Sequence, residues 1–288
     1  MWYAALVQQA PAFGVNVERL AEWIAEHDEF LDMGANREEV LDAFEETLER
    51  LRENPRDDVP GLPEDMQYDH NFFAYDAGYM AADQSMWDLA AWILRPFVLD
   101  EPFEPSEPEE VDFDHSSQDL QNAVVCEAAP WPSRLSERYA DMRETREEHP
   151  YGIGALWDAP HPCAFSSSEP KEPLVDLERD GYPAGLVLAS EYDAQTPYAT
   201  GSAMAELLDH TLVTVTDEGR HGVFGRPCVT ELVEDYLIDG ILPDGDVECA
   251  GMPAPEPPAT EPSGDDIAEL FSETWREQDN PLPRELLR

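Results

Sequence analysis

Two short stretches of the chain place proton-transferring residue types at the ends of apolar runs. Leu186-Val187-Leu188-Ala189 runs into Ser190-Glu191-Tyr192-Asp193-Ala194-Gln195-Thr196-Pro197, and Leu212-Val213-Thr214-Val215 leads to Glu218-Gly219-Arg220-His221-Gly222-Val223. Each pattern predicts a buried strand that opens into a loop presenting one titratable side chain. A carboxylate and an imidazole so placed can do general-base chemistry. The acid fixes the ring's tautomer, and the ring takes a proton from a hydroxyl nucleophile. The 28 residues from Asp193 to His221 leave room for one helix and one strand. Each residue also has an ordinary use, Asp193 as a turn or helix-capping residue and His221 as a loop histidine.

The stretches Glu-Tyr-Asp-Ala-Gln-Thr-Pro-Tyr, Gly-Arg-His-Gly-Val-Phe-Gly and Arg226-Pro227-Cys228-Val229 resemble the C-terminal portion of the tripeptidyl aminopeptidase-like α/β-hydrolases. These are secreted serine exopeptidases related to prolyl aminopeptidases. The resemblance extends upstream through Cys126-Glu127-Ala128-Ala129-Pro130-Trp131-Pro132 and Pro162-Cys163-Ala164-Phe165, covering roughly residues 1 to 251. It implies that Asp193 orients the imidazole and that His221 deprotonates a serine. It also implies a peptide substrate held by its free α-amine, for which Glu127 is the candidate counter-charge. The family often has an acid two residues after the first cysteine, where this chain has Ala128. Arg220 stands where the family usually has a small residue, and a cation there should depress the His221 pKa slightly. No cofactor or metal is implied.

The nucleophile of such an enzyme sits on a G-x-S-x-G elbow that precedes the acid and the histidine. No G-x-S-x-G occurs in the chain, and no serine follows a buried strand into a glycine-flanked turn. Residues 1 to 165 read as a succession of helices where a hydrolase core would alternate strands and helices. Asn16 can cap a helix carrying Val17, Leu20, Ala21 and Ile24, and Asn36 with Glu39 makes a capping box before Val40, Phe44, Leu48 and Leu51. Further helical patterns span about 71–82, 85–95, 117–127 and 135–147. The expected fold class is therefore α/β, a partial α/β-hydrolase. A helical cap at 1–165 precedes the last two strand-helix units at 166–251, with the earlier strands, oxyanion hole and elbow on other sequence. Alone, such a chain should be inactive and its strands loosely ordered, since parallel strands need neighbours and helices on both faces. The alternative is a non-catalytic binding or complementing subunit derived from such a hydrolase.

Composition bounds the setting. With 64 acidic against 17 basic residues, the formal net charge is −47 and Lys171 is the single lysine. Such a surface repels itself at low ionic strength and suits high salt, where the Debye length falls to about 3 Å at 1 M. Nucleic acid and anionic membranes are poor partners. Four cysteines allow three full pairings. Sequence order and the family pattern favour Cys126 with Cys163 and Cys228 with Cys249, each closure worth about 3 to 4 kcal/mol in a chain-entropy account. Free thiols of a cytosolic protein are the alternative. Disulfides imply an extracellular or secreted setting, although residues 1–15 carry no export signal pattern. From 252 to 288 a Pro- and acid-rich linker leads to a short amphipathic tail with Ile267, Leu270, Phe271 and Trp275 on one face.

Overall fold

The computed structural model describes residues 6–60, 62, 66–103, 116–128, 131–165 and 177–257. Helices α1 (Gln9–Glu26), α2 (Asp28–Leu31), α3 (Arg37–Glu53), α4 (His70–Ala81) and α5 (Trp87–Val98) form a helical unit. Along α1 the apolar residues Ala10, Phe13, Val17, Leu20, Ala21 and Ile24 recur at helical spacing and are all fully buried. Val17, Leu20, Ala21 and Ile24 pack in one core with Phe44 and Leu51 of α3, Phe73 of α4 and Phe97 of α5. Asn36 caps α3, its side chain accepting from the Glu39 amide at 3.1 Å, while Glu39 reaches back to the Ala35 amide at 2.9 Å. The reciprocal bond thus falls one residue earlier than in the capping box expected from the sequence.

Asn16 does not cap a helix. It lies fully buried inside α1, which begins seven residues earlier at Gln9. A polar residue persists there because its amide has a partner outside the helix, described below.

After α5 come α6 (Ser116–Ala128), α7 (Leu135–Glu148) and the short α8 (Gly154–Asp158). α7 buries none of its residues. The Cys126–Cys163 disulfide ties the end of α6 to the turn at Pro162–Phe165, and Cys228–Cys249 ties the later helix α10 to the last strand. Both pairings are those the family pattern favoured. No helix among the described residues is long and apolar enough to cross a membrane.

The C-terminal segment carries β1 (Leu186–Ser190), α9 (Tyr198–Leu208), β2 (Thr211–Thr216), α10 (Pro227–Glu234) and β3 (Val247–Ala250). All three strands are parallel in the order β1-β2-β3. The third was not expected from the sequence: Val-Glu-Cys-Ala is too short and mixed to show a strand period. α9 packs Ala205 and Tyr198 on the face of Val187, Ala189 and Leu212. α10 packs Val229 and Leu232 on the opposite face, against Val213, Val215 and Cys249. The central strand is accordingly the buried one. In β1, Leu186, Val187 and Leu188 remain half-buried, and the outer edge of β1 has no partner strand among the described residues.

The stretch at 251–257 runs back along the helical unit, where Trp23 Nε1 donates to the Pro255 carbonyl at 3.0 Å and Ala254 packs on the helical core. The start of the expected linker is thus a docked segment. The tail residues Ile267 to Trp275 lie outside the described residues.

Candidate active site

A parallel pair of neighbouring strands delivers its following loops to one edge of the sheet. Ser190 pairs with Val215 in register, so Asp193, three residues beyond β1, and His221, five beyond β2, emerge side by side. Backbone bonds carry the pairing past the strand ends, from Glu191 N to Val215 O at 3.0 Å and from Tyr192 N to Glu218 O at 2.9 Å. Ser190 Oγ adds a bond to the Arg220 carbonyl at 2.7 Å.

His221 Nδ1 lies 2.9 Å from Asp193 Oδ2. The same oxygen accepts from Thr196 Oγ1 at 2.7 Å, and Asp193 Oδ1 accepts from the Gln195 and Thr196 amides at 2.8 and 2.9 Å. Asp193 therefore does both of the things its sequence context allowed: it closes a turn, and it faces the imidazole. An ionised carboxylate only accepts, so the ring proton sits on Nδ1 and leaves Nε2 as the basic atom. Asp193 is buried, whereas the His221 side chain is 48% exposed.

Burial alone would push the Asp193 carboxyl up, but the hydrogen bonds from His221 and Thr196 outweigh it and hold it below the ordinary carboxylate value. Its bond to Asp193, opposed by partial burial, raises the His221 pKa above the ordinary value. The expected depression by Arg220 does not occur. Arg220 turns its guanidinium toward Asp83 of the helical unit, with Nε 3.7 Å from the carboxylate.

The helical unit grips the loop that carries the acid. Asn16 Nδ2 donates to the Tyr192 carbonyl at 2.7 Å, one residue before Asp193. Arg19 lies over the Tyr192 ring, its guanidinium carbon 4.0 Å from the centroid, and pairs with Asp217 at 2.7 Å. Gln9 Nε2 holds the Gln195 carbonyl at 2.7 Å and is itself held by Trp157 Nε1 at 2.7 Å. A side chain at Gly219 would put its Cβ 2.5 Å from the Ala82 carbonyl and 2.7 Å from Asn16 Oδ1. Only glycine permits that approach of the histidine loop to the helices.

Glu218 was missed as a site residue by sequence reasoning. It is fully buried and pairs with Arg226 Nη2 at 2.8 Å, while its oxygens accept from the Arg220 and Met252 amides at 3.2 and 3.3 Å. The ion pair pins both ends of the His221 loop; an acid and an arginine flanking a histidine loop were the available signal. Glu127 is not brought into this constellation. It is exposed near the end of α6, a helix packed on the Pro162–Phe165 turn. The sulfurs of Cys126 and Cys163 lie near His161, but both are held in the disulfide and offer no thiolate to a metal.

Residues 149–249 match the family described as TAP-like protein, an α/β-hydrolase family. This segment belongs to the TAP-like α/β-hydrolases. The TAP-like match contains both strand-end loops and both members of the Asp193–His221 pair. Similarity reaches beyond it: the chain is 28% identical over 271 residues to a tripeptidyl aminopeptidase of Streptomyces lividans, covering 89% of this chain and 48% of that protein. It is 31% identical over 148 residues to carboxylesterase B of Mycobacterium tuberculosis, and 27% identical over 139 residues to the serine protease Hip1 of the same organism. Each of these two alignments covers 47% of this chain and 27% of the relative. The chain thus spans about half the length of the tripeptidyl aminopeptidase it matches.

Proposed function

We propose that the chain supplies the acid and the base of a serine exopeptidase that removes short N-terminal peptides or residues. The observation that supports this most is the 2.9 Å contact of Asp193 with His221 at adjacent parallel strand ends, inside the TAP-like segment. In this reading His221 Nε2 takes the proton of a serine hydroxyl as it attacks the scissile carbonyl, then returns it to the leaving amine. Asp193 keeps the ring in the Nδ1–H tautomer and stabilises the imidazolium. The raised His221 pKa suits that intermediate.

The serine and its oxyanion hole are not carried on any G-x-S-x-G turn of these 288 residues. They would come from sequence that extends the sheet beyond the open edge of β1. The helical unit would act as a cap that also fixes the acid loop. Two disulfides and the acidic surface favour an exported protein working in salt.

The test is to assay the chain alone, and again fused to the part of the Streptomyces tripeptidyl aminopeptidase outside the aligned region, on tripeptidyl and aminoacyl anilides in molar salt. Turnover only in the fused protein, blocked by a fluorophosphonate, is expected. Fluorophosphonate-sensitive turnover by the chain alone would refute the assignment of the nucleophile to other sequence.

A further inference from the structure

Among the described residues Arg52 and Arg146 have no ion-pair partner, in a chain of 64 acidic and 17 basic residues. Arg52 stands near the end of α3 and Arg146 in the last turn of α7. They line one cleft together with Leu48, His70, Asn71 and Tyr75, with a volume of about 80 Å³. That is room for several waters or one small ligand.

His70 and Asn71 open α4, a helix of 12 residues. His70 Nδ1 is buried and has no hydrogen-bond partner among the described residues. The nearest acid, Asp69, has its Oδ2 3.8 Å away, beyond hydrogen-bond reach. That carboxylate is already engaged by the Asn71 amide and side chain and by the Phe72 amide. Burial holds the His70 pKa below the ordinary value, Asp69 opposes this, and Arg52 and Arg146 both add to it. Both arginines line the same cleft as the ring.

We propose that this cleft binds a small oxyanion, a carboxylate or a phosphate. Two guanidinium groups with no ion pair among the described residues line it beside the His70 ring, and the guanidinium groups favour negative charge. Arginine suits this ligand because its planar fork meets two oxygens at once. The net charge of −47 repels anions from the molecule as a whole. An anion held here is therefore held by the local arrangement. Binding would leave a protonated His70 better compensated and raise its pKa. The site stands independently of the catalytic reading, since it uses neither Asp193 nor His221.

The experiment titrates the whole chain with inorganic phosphate, replacing chloride at constant ionic strength, and follows the His70 imidazole resonance. The resonance is assigned by its loss in His70→Gln. A second arm uses a short peptide with a free C-terminal carboxylate and its amidated counterpart. A saturable His70 shift with a raised pKa is expected, weakened at least tenfold in Arg52→Gln and in Arg146→Gln at unchanged far-ultraviolet circular dichroism. Saturation by phosphate alone identifies a free oxyanion as ligand; saturation by the free-acid but not the amidated peptide identifies a peptide carboxylate. No saturable response in either arm, an equal drift of all seven histidines, or undiminished binding in the double arginine variant would overturn the proposal.

Discussion

Replacing Asn16 tests whether the helical unit holds the acid loop. In Asn16→Ala the Tyr192 carbonyl loses a donor at 2.7 Å and Arg19 loses an acceptor at 3.1 Å. Leaving a buried acceptor unsatisfied costs about 1–3 kcal/mol, and a lost ordinary hydrogen bond about 0.5–1.5 kcal/mol. The bond from Asn16 to the Ala12 carbonyl competes with the helix itself, so its loss costs little. Alanine recovers roughly 0.5 kcal/mol of helix propensity. The net loss should be about 2 kcal/mol, or about 30-fold in the equilibrium for opening the loop. The assay is hydrogen exchange of a peptide spanning 191–196, paired with denaturant unfolding. Asn16→Asp keeps the shape and the partner for Arg19 but turns an acceptor toward the carbonyl, so it should open the loop at least as much. A change below about 0.5 kcal/mol with unaltered exchange in both variants would refute the clamp.

In Asp193→Asn the His221 pKa should fall, because its main cause is removed; the imidazole's pH titration in both proteins reads this directly. The sign for stability follows from the same pair. The raised His221 value contributes stability fully below about pH 6.5 and loses it as pH rises through the folded value; the lowered Asp193 value contributes above about pH 3.9 and loses it as pH falls through the folded value. Unfolding at several pH values should therefore find the pair's contribution greatest between about pH 4 and 6.5, and absent in Asp193→Asn. Hydrogen exchange should be slower at Val213 and Val215, which are fully buried, than at the half-buried Leu186 to Leu188; equal protection would mean that something covers the β1 edge. Replacing Cys228 and Cys249 by serine should cost about 3 kcal/mol in denaturant unfolding, from release of a 21-residue separation.

What was legible in the sequence was local. The apolar runs of β1 and β2, the turn chemistry around Asp193 and the stripe of α3 declare themselves within a dozen residues. The strand-end positions of Asp193 and His221 follow from parallel order alone. Asn16 was misread as a cap because its deciding partner, the Tyr192 carbonyl, lies 176 residues away. Arg220 was misjudged for the same reason: adjacency to His221 is visible in sequence, while Asp83, which draws its guanidinium aside, is not. β3 has four residues and no clean period, and only its pairing with β2 and its disulfide to α10 make it a strand. Glu218 looked like one acid among 64 until burial and Arg226 singled it out.

The central claim is that His221, held by Asp193, is the general base of a serine hydrolase. Its most direct test is turnover of the fused, active protein with His221→Ala and with Asp193→Asn, measured on a tripeptidyl anilide in molar salt. Removing the base should cost several orders of magnitude in kcat, on the order of 10⁶-fold, and the asparagine about 10⁴-fold by misdirecting the tautomer. Turnover that survives His221→Ala would contradict the claim and place the base on another residue.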